Sequence, residues 1–440
     1  LTPNIQKIAD NGIRFTRCAC NSPLCAPSRA SLAAGIYPHR TGVLNNEENF
    51  NLYLPTYYQH LRRSGYKVGV VGKTDLHKPV HFYGEHGDIP FLYQLGFTHP
   101  HETEGKINAS QFNRYEFQRH SGNQQPVGPY QKFLKDRGKL KAFVKDYRYR
   151  EEEAPVWYAK ESILSFDEYH DSYIGERACQ FLKTVTEDQP WHYFVSFVGP
   201  HDPWDAPEEY GSLIDYSAIP SHISDEMEGK PQWIKARYMN HSRDMTADAV
   251  KEVRKQYSGM VALIDAWIGN MIDILEKRNL LDNTVIIITS DHGEMLGDHG
   301  LFLKKVMYES SIRVPLIIWN PGKEWKSGIS DSLVELIDLY PTILDIAEIN
   351  FDCGRIDGTS IVPYLSGRGG LTKRLQLSEL GNTRMVFDGR YKYIENYNDK
   401  DELYNLDNDP FEQNNLIDEQ NRKAKNLYSD MLQHTVTNIL

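Results

Sequence analysis

The sequence predicts an α/β fold in which helices flank a large, mostly parallel sheet, followed by a small C-terminal antiparallel sheet with a terminal helix. The first observation is a set of short apolar runs that end in polar, Gly or Pro residues, at 67–71, 191–198, 284–289 and 314–319. The second is the longest helical pattern, which starts after Thr246 and repeats apolar residues in steps of three or four from Val250 to Leu275. Strands that alternate with helices indicate a doubly wound layer, whose ligands bind at the carboxyl ends of the strands.

The remaining elements divide the chain into residues 1–366, an α/β domain, and residues 367–440, a C-terminal α+β subdomain. Thr2 and Pro3 predict a first helix that stops at Asn11-Gly12. A small-residue helix over 28–34 stops at Gly35 and places Cys25 at or just before a helix N-terminus. Residues 100–170 are polar with weak periodicity and are interpreted as an insertion beside the sheet. Antiparallel strands are predicted over 375–379, 385–387 and 392–395, and an amphipathic helix from about residue 418.

Composition excludes several classes of protein. With 40% hydrophobic, 12% aromatic and 25% charged residues, the 440-residue chain is that of an ordinary globular protein. Its net charge of −11 argues against a basic surface for nucleic acid, so an anionic substrate must be met locally. No apolar run reaches the roughly 18 residues of a membrane-spanning helix. The five cysteines lack paired metal-ligand spacing, which argues against a disulfide framework or a structural zinc site: Cys18, Cys20, Cys25, Cys179 and Cys353.

Coordinating or charged side chains follow three of the predicted strands. Gly72-Lys73 follows the first, His201 lies between two prolines after the second, and Asp291-His292 follows the third. Parallel strands deliver such groups to one edge of a sheet, where metal ligands are often found. Taken singly, each has a plain alternative: a solvated strand end for the lysine, a loop residue for His201 and a turn for Asp291-His292. Gly72-Lys73 is not the tail of a P-loop, because the upstream glycine would fall at Lys67.

The most specific motif is Cys25-Ala26-Pro27-Ser28-Arg29. Without context it reads equally well as a buried cysteine before a proline-started helix. It resembles the signature of the type I sulfatases, a family with the alkaline-phosphatase-like fold, and the similarity extends from residue 21 to residue 43. In that family the cysteine is oxidised to formylglycine by a dedicated maturation enzyme, which the resemblance makes an expected partner of this chain.

The resemblance continues in order along nearly the whole chain, apart from the insertion at 100–170. Gly72-Lys73 is similar to the family's sulfate-binding element, and Pro200-His201 with Pro203 to its Pro-His-x-Pro loop. The segment 290–293 resembles its metal-binding stretch, the segment 300–315 carries the second substrate lysine, and 402–416 resembles its C-terminal ending.

The resemblance implies a role for each matched residue. Cys25 becomes formylglycine, whose hydrated form is the nucleophile, and Arg29 holds that hydrated aldehyde. Lys73 and Lys304 bind sulfate oxygens, and His201 protonates the leaving alkoxide and contacts the substrate. The spacing to Tyr308 and Glu309 favours Lys304 over its neighbour Lys305. The family's histidine after the Gly-Lys pair is replaced by Asp75, so His77 is the candidate base for elimination, with a structural loop histidine as the alternative.

The metal site implied by the resemblance comprises Asp291, His292 and the modified Cys25. Oxygen ligands favour Ca²⁺, but family members often have Asn at the position of His292, and an imidazole leaves Mg²⁺, Mn²⁺ or Zn²⁺ open. The family begins with a strand that ends in two metal-binding aspartates, whereas this sequence starts at Leu1-Thr2-Pro3-Asn4. We therefore expect a processed or N-terminally truncated chain, and its localisation stays open between periplasmic or extracellular and cytoplasmic, since any leader would precede Leu1.

These motifs predict a sulfuric ester hydrolase that acts on a sulfate ester, with a sulfated carbohydrate as the expected substrate on family prevalence. Two alternatives stay open. One is a phosphonate or phosphate ester hydrolase of the same superfamily, because the same metal and formylglycine serve both tetrahedral anions. The other is an inactive binding protein, or a fragment that lacks two metal-ligand aspartates. The sequence leaves the oligomeric state undetermined.

Overall fold

A computed structural model of the protein describes residues 1–80, 82–110, 126–350 and 356–437. Its described residues form three β-sheets with helices packed around them. The strands, in chain order, are β1 Ile13–Ala19, β2 Lys67–Gly72, β3 His99–Glu102, β4 Trp191–Ser196, β5 Ile286–Thr289, β6 Arg313–Trp319, β7 Gly328–Ser330, β8 Val334–Glu335, β9 Gln376–Leu380, β10 Thr383–Phe387, β11 Tyr391–Asn396 and β12 Glu402–Asn405.

The α-helices range from single turns to a helix of 31 residues. In chain order they are α1 Pro3–Asn11, α2 Cys25–Ala34, α3 Pro38–Thr41, α4 Tyr57–Arg63, α5 Pro90–Leu95, α6 Lys106–Ser110, α7 Pro129–Asp136, α8 Leu140–Arg148, α9 His170–Thr184, α10 Glu208–Gly211, α11 Gln232–His241, α12 Ala247–Lys277, α13 Glu309–Ile312, α14 Leu339–Ile346, α15 Val362–Leu365 and α16 Asn421–Thr437.

Two of the sheets supply the strand ends from which the site is built. In the first, the order is β5-β6-β1-β7 with β8 beside β1, and both β5 and β1 run antiparallel to β6. In the second, β3, β2 and β4 are parallel, and Gly69 lies opposite both His99 and Tyr193. The predicted α/β class is confirmed, but the pairing differs from a single mostly parallel sheet, because β6 runs opposite to its neighbours.

Strand β1 did not stand out in the sequence. Its seven residues include Arg14, which is exposed, and Arg17, whose guanidinium donates to the Gly389 carbonyl at 2.7 Å. Charged residues therefore interrupt the apolar run, while Ile13, Phe15 and Cys18 are buried in the core. The strand is defined by its partners β6, β7 and β8 rather than by a pattern of its own.

The predicted long helix is α12, and Thr246 caps it by accepting a hydrogen bond from the Ala249 amide at 3.1 Å. Its length and apolar composition would suffice for a membrane span. The helix instead packs against α1, α9 and α10 and buries residues such as Val253, Met260 and Leu263 in the protein. Its hydrophobicity is thus accounted for by core packing.

The C-terminal antiparallel sheet and its helix are present as predicted, with strand order β12-β11-β10-β9 and α16 against β10 and β11. Met385, Phe387 and Tyr404 join the same core as the first sheet. The insertion contains α6, α7 and α8 within its described residues, while residues 111–125 lie outside them, as does Cys353. The predicted boundary between residues 366 and 367 stays a prediction.

Candidate active site

Cys25 is the first residue of α2 and is 1% exposed. Leu24 before it is extended and offers no side-chain cap, and the Ala26 amide instead donates to Asn46 Oδ1 at 3.1 Å. Pro27 fits the first turn because its missing N–H would have no helical partner there. Small residues let this helix lie deep in the core, and Asn46, which the sequence analysis missed, fixes its N-terminus.

Arg29, one helical turn after Cys25, connects the strand ends around the helix. Its Nε donates to Asp291 Oδ2 at 2.7 Å, and its Nη1 donates to Ser196 Oγ at 2.8 Å and to the Lys73 carbonyl. Ser28 adds a bond from its hydroxyl to the Asp291 carbonyl at 2.6 Å. The guanidinium therefore joins the end of β4 and the segments that follow β2 and β5 to the start of α2.

Lys73 follows β2, and the residue before it, Gly72, occupies a position that only glycine fits. Gly72 has a φ of +90°, and a Cβ there would lie 1.9 Å from the Ser196 carbonyl oxygen. This tight crossing brings Lys73 Nζ to 3.6 Å from Cys25 Sγ. Burial raises the pKa of the Cys25 thiol, but the charges around it, Lys73 foremost, more than offset this and hold the pKa well below its ordinary value.

Asp291 and His292 follow β5 and complete a cluster with Cys25, in which one ligand atom from each lies within 4.8 Å of the others. His292 Nε2 is 3.2 Å from Cys25 Sγ, and its Nδ1 is 2.8 Å from the Gly293 carbonyl oxygen. Because a carbonyl only accepts, Nδ1 carries a proton, and Nε2 is the ring nitrogen that faces the Cys25 sulfur. Burial raises the pKa of Asp291, but Arg29 brings it well below the ordinary value. A carboxylate and an imidazole nitrogen side by side fit a divalent cation.

His201 and Lys304 form a second group at the site. Lys304 Nζ is 2.7 Å from His201 Nε2, and His201 Nδ1 donates to the Asp202 carbonyl at 2.7 Å. The histidine Nε2 therefore accepts from the ammonium. Asp202 Oδ1 lies 2.9 Å from His201 Nδ1 and 3.6 Å from Lys304 Nζ. Burial raises the pKa of Asp202, but these two neighbours bring it well below its ordinary value. The segment is tied to the Cys25 loop by the Lys305 amide, which donates to the Pro23 carbonyl at 3.1 Å.

Lys106 anchors the loop that carries His201 through hydrogen bonds to its backbone. No sequence motif singled out this lysine. Its buried Nζ lies 2.7 Å from Asp205 Oδ1, 2.6 Å from the Tyr169 hydroxyl, 3.2 Å from the Pro203 carbonyl oxygen and 3.3 Å from the His201 carbonyl oxygen. The lysine begins α6 in the weakly periodic insertion, where no sequence signal distinguishes it from solvated lysines. Part of the insertion thus supports the site.

His77 lies apart from these contacts. It is 1% exposed, its Nε2 is hydrogen-bonded to the Glu102 carboxylate, and its ring packs near Tyr83 and Phe91. Burial lowers the pKa of His77, but Glu102 raises it above the ordinary value. Within the described part of the chain, no hydrogen bond joins His77 to Cys25. The structure thus brings together all the other predicted site residues and leaves His77 in a separate buried pair, and its role as a base stays a prediction.

The sequence matches two family models and several known proteins. The family model described as Sulfatase matches residues 1–349, and one described as N-sulphoglucosamine sulphohydrolase, C-terminal, matches residues 297–438. A choline-sulfatase of Rhizobium meliloti is 30% identical over 445 residues, which cover 94% of this chain and 77% of that protein. An N-acetylglucosamine-6-O-sulfatase of Bacteroides thetaiotaomicron is 28% identical over 468 residues, covering 94% of this chain and 78% of that protein.

Solved structures share the fold. A phosphonate monoester hydrolase of Agrobacterium radiobacter superposes with a TM-score of 0.81 at 23% identity, covering 100% of this chain and 91% of that one. A protein solved in complex with its substrate D-glucosamine-2-N,6-O-disulfate gives a TM-score of 0.72 at 22% identity, covering 99% of this chain and 92% of that one. At these identities the likeness concerns the fold alone.

Proposed function

Because this chain belongs to the sulfatase family and is a sulfuric ester hydrolase, we propose that it hydrolyses the sulfate ester of a carbohydrate at the site around Cys25. The assignment to this site rests on one observation, namely that charged and coordinating side chains converge on the buried Cys25. Lys73 Nζ lies 3.6 Å and His292 Nε2 3.2 Å from Cys25 Sγ, and Arg29 pairs with Asp291 beside it. Concentrated positive charge around a nucleophile is what an anionic ester requires.

Membership of the sulfatase family implies a metal ion and formylglycine. We propose that formylglycine forms from Cys25 by the action of a maturation enzyme, and that Asp291, His292 and the modified Cys25 hold Ca²⁺. When present, the hydrated formylglycine supplies the attacking hydroxyl and the ion supplies positive charge. Mg²⁺, Mn²⁺ and Zn²⁺ are the competing ions, because an imidazole donor suits them as well.

The side chains of the chain itself divide the remaining work. Lys73 and Lys304 bind sulfuryl oxygens as point charges, and Arg29 holds Asp291 in place through its 2.7 Å bond. His201 Nε2 accepts a hydrogen bond from the Lys304 ammonium at 2.7 Å, so a proton taken from that ammonium can pass through Nε2 to the leaving oxygen. The Asp202 carbonyl keeps the imidazole in the orientation that directs Nε2 into the site.

The carbohydrate assignment rests on the relative named N-acetylglucosamine-6-O-sulfatase, at 28% identity. The relative named choline-sulfatase, at 30% identity, makes choline sulfate the competing small-molecule ester. The phosphonate monoester hydrolase shares the fold, so a phosphonate ester is the third substrate class to compare.

The test uses protein co-expressed with a formylglycine-generating enzyme. Mass spectrometry of the tryptic peptide 18–29 should show that one cysteine has exchanged its sulfur for oxygen with loss of two hydrogens. Values of kcat/KM on N-acetylglucosamine-6-sulfate, choline sulfate, an aryl sulfate and an aryl phosphonate then rank the substrates. A phosphonate rate well above every sulfate rate would overturn the proposal, and a choline sulfate rate above the sugar rate would replace its substrate.

The ion is identified separately. Protein stripped with a chelator is reloaded with Ca²⁺, Mg²⁺, Mn²⁺ or Zn²⁺, and binding is measured by calorimetry alongside turnover. Tightest binding and highest turnover with Ca²⁺ are expected. Asp291→Asn should weaken binding of the ion, because it removes the one carboxylate of the cluster.

A further inference from the structure

Asp75 is a buried carboxylate shared by two lysines at the edge of the site. Its Oδ2 lies 3.0 Å from Lys73 Nζ and 2.8 Å from Lys78 Nζ. The residue has a φ of +56°, a left-handed conformation that a non-glycine residue rarely adopts. This turn directs the carboxylate between the two ammonium groups, so that both contact the same oxygen.

Once Cys25 is converted to formylglycine and no longer offers a thiolate to Lys73, the sharing leaves one positive charge without a carboxylate partner. Among the described residues of the site, the other arginine and lysine each have a carboxylate: Arg29 lies 2.7 Å from Asp291, and Lys304 lies 3.6 Å from Asp202. The two lysines at the shared carboxylate carry two charges against one. A surplus charge in a largely buried place is costly unless an anion joins it.

The second of these lysines also lies within electrostatic reach of the nucleophile. Lys78 Nζ lies 2.8 Å from Asp75 Oδ2, the same oxygen lies 3.0 Å from Lys73 Nζ, and Lys73 Nζ lies 3.6 Å from Cys25 Sγ. The side chain of Lys78 is 17% exposed, against 8% for Lys73. Its ammonium group is therefore the more accessible of the two to a ligand that binds beside Cys25.

We propose that Lys78 is a third sulfate-binding cation, which binds an oxygen of the sulfuryl group together with Lys73 and Lys304. The proposal rests on the proposed function, because it places this ammonium at the same sulfuryl group. Asp75 is a positioning residue, because its carboxylate lies between the two ammonium groups and separates them before substrate binds. Bound sulfate then contacts both ammonium groups and partly replaces Asp75 in this role. Neither Asp75 nor Lys78 was among the site residues that the sequence predicted.

The experiment measures inhibition by inorganic sulfate and the steady-state constants of the mature enzyme on an aryl sulfate. Lys78→Met should raise the Ki of sulfate and the KM about tenfold, the loss of one charge-assisted hydrogen bond, with a smaller effect on kcat. Lys78→Arg should recover part of the affinity because it keeps the charge. Lys139→Met, which breaks a pair with Glu168 at 3.0 Å outside the site, is the matched control and should leave both constants unchanged.

A second measurement guards against a general loss of structure. Because salt screens the attraction between charges, the Ki of sulfate should rise with ionic strength, and Lys78→Met should weaken this dependence because one cation fewer contacts the anion. An unchanged Ki in Lys78→Met, with the wild type active on the aryl sulfate, would overturn the proposal while leaving the sulfatase assignment in place. Absence of turnover on any sulfate ester by the wild type would instead count against the proposed function, and calorimetry with inorganic sulfate would then test Lys78 alone.

Discussion

The buried pair of Lys106 and Asp205 offers a sharp test of how the His201 loop is held. Lys106 is 1% exposed and Asp205 is fully buried, so Lys106→Met leaves a carboxylate without its cation in a dry place. Removing one partner of such a pair costs about 3–5 kcal/mol of unfolding free energy. The Tyr147 and Tyr169 hydroxyls still donate to Asp205, which places the expected loss at the lower end, about 3 kcal/mol.

The assay is urea unfolding of Lys106→Met, Asp205→Asn and the double variant. The double variant should be more stable than the sum of the single losses predicts, with a coupling of at least about 2 kcal/mol, because it leaves neither charge unpaired. Lys7→Met is the control, since its pair with Glu276 at 2.7 Å is exposed and should contribute less than about 1 kcal/mol. Losses that add within about 0.5 kcal/mol would refute the reasoning.

The same variant has a catalytic readout. Lys106 Nζ holds the His201 and Pro203 carbonyls, so its loss should displace the imidazole that protonates the leaving oxygen. Turnover of an alkyl sulfate, whose leaving group needs that proton, should fall about a hundredfold, and turnover of an activated aryl sulfate much less. Equal losses on both esters would show that Lys106 acts on stability alone.

Three further predictions follow from buried residues of the site. Cys25→Ala should abolish turnover, and retained activity would contradict the assignment of the nucleophile. The variant should change the free energy of unfolding, measured with urea, by only about 1 kcal/mol, because one small buried atom is removed at the start of a helix. Gly72→Ala should lower the free energy of unfolding by more than about 2 kcal/mol, because the new Cβ clashes with the Ser196 carbonyl. Gly65, with a φ of +87°, has open space around it, so Gly65→Ala is the control and should lose about 1 kcal/mol. Equal losses would contradict the reasoning. The folded-state pKa values of Asp75 and Asp202 lie below those of the unfolded chain. The stabilisation of the fold by these two carboxylates is therefore complete above about pH 4 and is lost as the pH falls further. The urea midpoint of unfolding should decline between pH 7 and pH 3, and it should decline less in Asp75→Asn.

The sequence was sufficient where local chemistry sets the structure. The Thr246 cap with its apolar stripe predicted α12, and the Cys25 to Arg29 motif predicted the start of α2. The strand-end motifs predicted which side chains meet at the site. What it could not provide depends on contacts between distant segments. Asn46 at the start of α2 and Lys106 beneath His201 are ordinary polar residues in sequence, and only the folded chain gives them partners.

Strand pairing was beyond the sequence for the same reason. The apolar run of β6 predicts a buried strand, but its direction relative to β1 and β5 depends on the path of the intervening chain. His77 shows the converse limit. The spacing after Gly72-Lys73 made it the nearest histidine to the site, whereas its orientation is set by Glu102 on the neighbouring strand β3.

The site lies at the seam between two separate sheets, since Lys73 and His201 follow strands of one, and Asp291 follows a strand of the other. Arg29 is the tie between them. Neither half alone can assemble the constellation, so turnover requires that the two halves be docked at the same time. The activity that remains during denaturation should therefore be proportional to the fraction of native molecules. A partly folded chain should be inactive even where one sheet stays intact.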